Sequence, residues 1–230
     1  MRIKRPTLVA AAILLFSALP GAQVPAAAAD PCPDVEVVFA RGTAEPVGVG
    51  AIGQQFVDTL RGRTNKSVAV YPVNYLASND FNNPMEFAKT VVDGIRDAGG
   101  HIEATAANCP NTRIVLGGYS QGAVLAGFVT SAVVPEGVPA DLVPSPMPPE
   151  VADHIAAVAL FGMPSAAWMR NFGAPPVVIG PLYADKTIQL CNPGDAICDG
   201  DPGGMPNLQH IMYAANGMVA QAADFAAQRL

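Results

Sequence analysis

Histidine is scarce in this chain of 230 residues: there are three, at positions 101, 154 and 210. Any chemistry that needs an imidazole must draw on one of them. Cysteine is scarce as well. There are four, none in a C-x-x-C pair, which argues against a zinc site. Past the first thirty residues no apolar run is long enough to cross a bilayer. Basic residues are outnumbered, 13 against 19 acids, and Arg2, Lys4 and Arg5 stand in the first five positions. A short apolar run over 8–19 follows, then the small residues Ala27, Ala28 and Ala29. That order predicts a secretory signal peptide over 1–29, removed ahead of Asp30. Its loss takes three positive charges from a net −6 and leaves −9 on residues 30–230. An acidic exported chain is a poor partner for nucleic acid or an anionic membrane surface, and a neutral or apolar substrate suits it better. Residues 30–230 are long enough for one domain with a full core. The expectation is a secreted or envelope-associated monomer.

The segment Arg113-Ile-Val-Leu-Gly-Gly-Tyr-Ser-Gln-Gly122 carries the strongest chemical signal. An apolar strand runs into Gly118-Tyr-Ser-Gln-Gly122, and helix-forming residues follow from Ala123. This is G-x-S-x-G in the strand–turn–helix context of a nucleophile elbow, which pushes Ser120 out at the end of a sheet.

The surrounding pattern alternates strands and helices. Residues 35–40, 67–73, 113–116, 155–161 and 187–190 read as strands. Ile52, Phe56 and Leu60 recur every four residues as one face of a helix, and Pro84 opens a long helix toward residue 107. Residues 135–149, rich in proline and glycine, read as a surface loop. Ile211, Ala215, Met218, Ala222 and Phe225 are spaced as one final helix. Together these predict an α/β fold, a three-layer doubly wound sandwich with a mostly parallel five-stranded sheet. Ligands of such sheets bind beyond the carboxyl ends of the strands.

That rule sorts the partners of Ser120. A serine hydroxyl needs a base, and the base needs an acceptor that fixes its tautomer. His101 lies upstream on a helix, and His154 precedes a strand at the amino edge. His210 follows the last strand and a Gly/Pro-rich loop, so it is the candidate base. Asp195 follows the same strand inside Cys191-Asn-Pro-Gly-Asp-Ala-Ile-Cys198 and is the candidate acid, with Asp199 and Asp201 in reserve; Asp185 precedes the strand. Candidate oxyanion donors are the amide of Gln121 and, from the loop after the first strand, Thr43.

The edge argument also pairs the cysteines. Cys32 and Cys109 each precede a parallel strand and so share one edge. Cys191 ends a strand at the other edge, seven residues from Cys198. Two disulfides, Cys32–Cys109 and Cys191–Cys198, follow. Gly48-Val-Gly-Ala-Ile-Gly53 matches G-x-G-x-x-G, but the gap from the strand is long. Asn74 also stands where a dinucleotide site needs Asp or Glu, so no such cofactor is expected. No metal is expected either.

Trp168, Met169, Phe172, Pro175, Val177 and Ile179 belong to an apolar stretch, completed by Leu182 and Tyr183, between the fourth and fifth strands. It reads either as core or as the lining of an acyl groove in contact with a lipid interface.

Taken with Phe39-Ala-Arg-Gly-Thr43, Phe161-Gly162 and the segment from Cys191 to Cys198, these motifs resemble the cutinase family, and above all its secreted mycobacterial-type esterases. The resemblance implies Ser120, Asp195 and His210 as a triad and Thr43 with Gln121 as oxyanion donors. It implies hydrolysis of short- to medium-chain carboxylic esters through an acyl-enzyme at a site with little or no lid. Phospholipase, lipase or acyltransferase chemistry at the same elbow is the alternative, and a catalytically idle binding protein a remote one. Residues 199–209 lack the apolar flap expected of a polymer-degrading cutinase.

Overall fold

The computed structural model describes residues 32–230; the predicted signal peptide lies outside the described residues. Five strands form one sheet: β1 (Val35–Ala40), β2 (Val68–Pro72), β3 (Arg113–Tyr119), β4 (Ile155–Phe161) and β5 (Thr187–Leu190). Their order is β2-β1-β3-β4-β5, and every neighbouring pair is parallel. Six α-helices accompany them: α1 (Gly50–Arg61), α2 (Pro84–Asn108), α3 (Gln121–Val129), α4 (Ala166–Asn171), α5 (Leu208–Ile211) and α6 (Met218–Ala227). None of the described helices is long and apolar enough to cross a membrane.

Side chains of a strand alternate between faces, and β1 shows the result. Val35, Val37 and Phe39 pack with Ile52, Phe56 and Leu60 of α1 and Val219 and Ala222 of α6. Val38 and Ala40 join Val91 and Ile102 of α2 and Leu125 of α3 on the other face. Burying one such side chain contributes roughly 1.5–3 kcal/mol. Phe39, Phe56 and Phe161 cluster on the α1–α6 side with ring centroids 5.8–6.4 Å apart. Glycines make room for them. A Cβ on Gly53 or Gly117 would lie 2.6 or 2.7 Å from the Phe39 ring. Gly53, the last glycine of the G-x-G-x-x-G match, therefore serves helix–sheet packing.

Two elements differ from the sequence expectation. β3 runs on through Gly117 and Gly118 to Tyr119, because its hydrogen-bonded neighbours β1 and β4 hold the glycines in register. The final helix is not continuous. α5 ends at Ile211, a 3-10 turn covers Met212–Ala214, and Gly217 at φ 86° precedes α6. Ile211 and Ala215 are exposed, whereas Tyr213 is fully buried. The regular apolar spacing ran across a left-handed glycine that no helix interior accommodates.

His101 and Glu36 form an internal pair on the α2 side. His101 Nε2 lies 3.0 Å from Glu36 Oε2, which also accepts from Thr105 Oγ1. The imidazole stacks on Tyr71 with centroids 3.5 Å apart. Thus one of the three histidines is used in packing.

Cys32 is bonded to Cys109 and Cys191 to Cys198. The first closes a separation of 77 residues, a loop large enough for an unfolded-state effect of about 4 kcal/mol. Replacing Cys32 and Cys109 together by serine is expected to lower unfolding free energy by about that amount in urea titrations. A midpoint within error of the parent would contradict it.

Candidate active site

In the order β2-β1-β3-β4-β5 the direction of winding reverses between β1 and β3, and a crevice opens beyond their carboxyl ends. Ser120 follows β3 and Thr43 follows β1. Ser120 has φ 54° and ψ −117°, a conformation that L-residues rarely adopt. The tightness of the turn explains the glycines beside it. A Cβ on Gly118 would lie 2.1 Å from the carbonyl oxygen of Gly122, and one on Gly122 would lie 2.0 Å from that of Ala40. The amide of Ser120 donates to Phe161 O at 2.8 Å, which ties the turn to β4.

His210 sits on α5, whose start is fixed by Asn207: the Asn207 side chain accepts from the His210 amide at 3.1 Å. His210 is buried, 3% exposed. Its Nε2 is 2.9 Å from Ser120 Oγ, and its Nδ1 is 2.9 Å from both carboxylate oxygens of Asp195. Three residues distant in sequence therefore form one hydrogen-bonded chain.

Asp195 lies fully buried inside the loop closed by Cys191–Cys198. It also accepts from the Tyr213 hydroxyl at 2.6 Å and the Ile197 amide at 3.0 Å. Burial pushes its pKa up, but the hydrogen bonds from His210, Tyr213 and Ile197 together hold it below the usual carboxylate value. Burial and the neighbouring Asp195 carboxylate push the Tyr213 phenol far up, so it remains a donor. Two amides join the acid and histidine loops. Asn192 Nδ2 donates to Gln209 O and Asn207 Nδ2 to Gly194 O, each at 2.8 Å. The Tyr119 hydroxyl donates to His210 O at 2.8 Å. Asp199 and Asp201, the reserve acids, are exposed and accept from nearby loop amides instead. His101 is engaged with Glu36, and His154 closes the 3-10 turn before β4.

Gln121 is the first residue of α3, where the backbone amide has no partner within the helix. Thr43 stands across the crevice in a loop that is firmly braced. Buried Arg41 donates from Nη2 to Tyr75 O at 2.6 Å and from Nε to Glu45 O at 2.9 Å. Tyr75 returns its hydroxyl to Arg41 O. Glu45 accepts from the Gly42 amide at 2.6 Å and the Ala51 amide at 2.9 Å, which also places an anion at the start of α1. Local sequence offered no signal for the braces from Tyr75 or Tyr213, since their partners are 34 and 18 residues away.

Ser120, Gln121, Thr43 and His210 open into a cavity of about 810 Å³, within the roughly 300–1,000 Å³ usual for small-molecule sites. Its wall is mainly apolar. Trp168, Met169, Phe172 and Pro175 border it, as do Val138, Val143 and Met147. The apolar stretch after β4 is therefore divided: Tyr183 is core, and Val178 and Leu182 are exposed. The 135–149 segment is more than a surface loop, since its inward residues wall the cavity.

Fold and site define an α/β hydrolase. The chain belongs to the cutinase family, whose family model matches residues 31–230. It is a carboxylic ester hydrolase. It is 63% identical over 165 residues to the probable carboxylesterase Culp7 of Mycobacterium tuberculosis, covering 72% of this chain and 86% of that protein. With the carboxylesterase Culp1 of Mycobacterium tuberculosis it shares 47% over 225 residues, 96% of this chain and 92% of the relative. With the phospholipase Culp4 of the same organism it shares 46% over 221 residues, 96% and 88% respectively. A Trichoderma reesei cutinase solved with a phosphonate inhibitor superimposes with a TM-score of 0.61 at 31% identity, covering 86% of this chain and 77% of that one.

Replacing Tyr213 by phenylalanine removes one donor from a buried anion, a loss of about 2 kcal/mol. Because the folded Asp195 is held below the usual carboxylate pKa, the stability it contributes is present above that usual value and lost as pH falls through the folded one. Tyr213→Phe is therefore expected to be less stable at neutral pH, with the gap narrowing once Asp195 is protonated. Urea unfolding at pH 7 and at progressively acidic pH measures this; a gap that is constant with pH contradicts it.

Proposed function

We propose that the protein is a secreted serine esterase that works through an acyl-enzyme on Ser120. One observation carries the reading: Ser120 Oγ, His210 Nε2, His210 Nδ1 and the Asp195 carboxylate form consecutive contacts of 2.9 Å. Ser120 Oγ attacks the ester carbonyl carbon while its proton passes to His210 Nε2. Asp195 accepts from Nδ1, fixing the tautomer and balancing the imidazolium. The carbonyl oxygen gains a negative charge, which the Gln121 amide and Thr43 meet as donors. The carbon–oxygen bond to the alcohol breaks, and His210 returns the proton to the departing oxygen. Water then attacks the acyl carbon, His210 takes its proton, and the bond to Ser120 Oγ breaks. The acid leaves, and the serine regains its hydrogen.

Export is supported by two disulfides and by the basic–apolar–small order of residues 1–29. Short- to medium-chain esters are the substrates that the sequence resemblance implies. A phospholipase reading stands second, favoured by the name of one relative and by the apolar wall of the cavity. Both use the same nucleophile and differ in the alcohol released.

Ser120→Ala is expected to lower kcat by about a millionfold and to leave the unfolding midpoint nearly unchanged. A fluorophosphonate should label the parent at Ser120 and leave the variant unlabelled. Ester turnover retained by the variant would remove Ser120 from the nucleophile's role.

A further inference from the structure

α3 is apolar on every side and buried along its length except at Phe128. A helix of that kind is covered all round. Leu125 and Ala126 face the core. Val124 and Phe128 border the cavity that holds Ser120. α2 has the same excess of apolar surface. Ala98 and Ile102 serve the core, while Ala88, Val92, Ile95 and Gly99 border the cavity. Two helices thus carry apolar surface beyond what their own core uses, and both surfaces meet at a groove that begins at the nucleophile.

We propose that this groove is a long-chain acyl site, in which a fatty acyl chain runs from Ser120 along α3 and α2 toward Gly99 and Met147. The proposal rests on the esterase reading above and specifies its substrate as long-chain esters, beyond the short to medium range. From Phe87 to Gly99 α2 rises about 18 Å, the reach of roughly fifteen bonds of an extended chain. At Gly99 and Gly100 the helix wall carries no side chain, and Glu103 borders the cavity one turn further on. A Cβ on Gly99 would meet only Met147, at 4.0 Å, and one on Gly100 would meet nothing within 4 Å. The opposite wall is held in place, since Arg96 donates to Leu142 O and pairs with Asp93. Short acyl groups leave most of this apolar wall in water. Each methylene moved into it is worth roughly a fourfold gain in kcat/KM until the groove is filled.

The test is a series of p-nitrophenyl esters with acyl chains from acetate to palmitate, applied to the parent enzyme and to Gly99→Leu. The parent is expected to gain at least tenfold in kcat/KM from butyrate to the long esters. Gly99→Leu fills the far end, so the ratio of myristate to butyrate activity should fall at least tenfold. Should that variant fail to fold, Gly100→Leu blocks the same end from an exposed position. A parent optimum at acetate or butyrate overturns the assignment, as does a variant that changes every chain length by one factor. A gain that appears instead in acetate esters of lengthening alcohols gives the groove to the alcohol and overturns it too. Turnover of no ester at all overturns the esterase reading and the groove with it; turnover without chain-length dependence overturns the groove alone.

Discussion

The turn at Ser120 is the constraint from which the rest of the site is built. The chain must leave β3 and enter α3 so sharply that backbone atoms of Gly122 occupy the space a side chain at 118 would need. Ser120 itself is held at positive φ, a conformation that persists only where its surroundings over-determine it. The surroundings here are the sheet: the serine amide is bound to β4, and the Gly122 backbone lies against the end of β1. A hydroxyl fixed in this way needs partners brought to it.

Those partners arrive on loops. Asp195 is confined by a short disulfide loop, by three donors and by the Asn192 and Asn207 links to the histidine segment. An unpaired buried carboxylate would be strongly unfavourable. Tyr213, His210 and the Ile197 amide remove that penalty and in doing so set the direction of the imidazole. On the other side of the crevice, Arg41, Glu45 and Tyr75 hold the Thr43 loop through an internal exchange of hydrogen bonds. The Asp195 and Thr43 loops are thus preorganised by buried hydrogen bonds, whereas the side-chain oxygen of Gln121 is buried with no partner.

Much of this was legible in the residues themselves. Residues 155–161 and 187–190 match β4 and β5, because apolar runs bounded by turn signals encode buried strands directly. The elbow pattern located Ser120, and the carboxyl-edge rule separated His210 from His101 and His154. The failures share a cause. Gly117 and Gly118 carry no strand propensity, and pairing on both sides alone makes them β3. The spacing of 211, 215, 218, 222 and 225 is helical, yet Gly217 interrupts it, and periodicity does not report a single left-handed residue. Tyr213 in its role toward Asp195, and the inward side of the 135–149 segment, depend on contacts between distant parts of the chain, which no local window contains.

The break at Gly217 also divides the labour of residues 207–230. α6 belongs to the back of the sheet, packed with α1 through Val219, Ala222 and Ala226. Residues 207–213 belong to the acid loop, through Asn207, His210 and Tyr213. The imidazole thus takes its bearings from the carboxylate's loop and not from the terminal helix. A change on the core face of α6 therefore leaves the hydrogen bonds that hold the imidazole untouched, although only a few residues separate the two stretches.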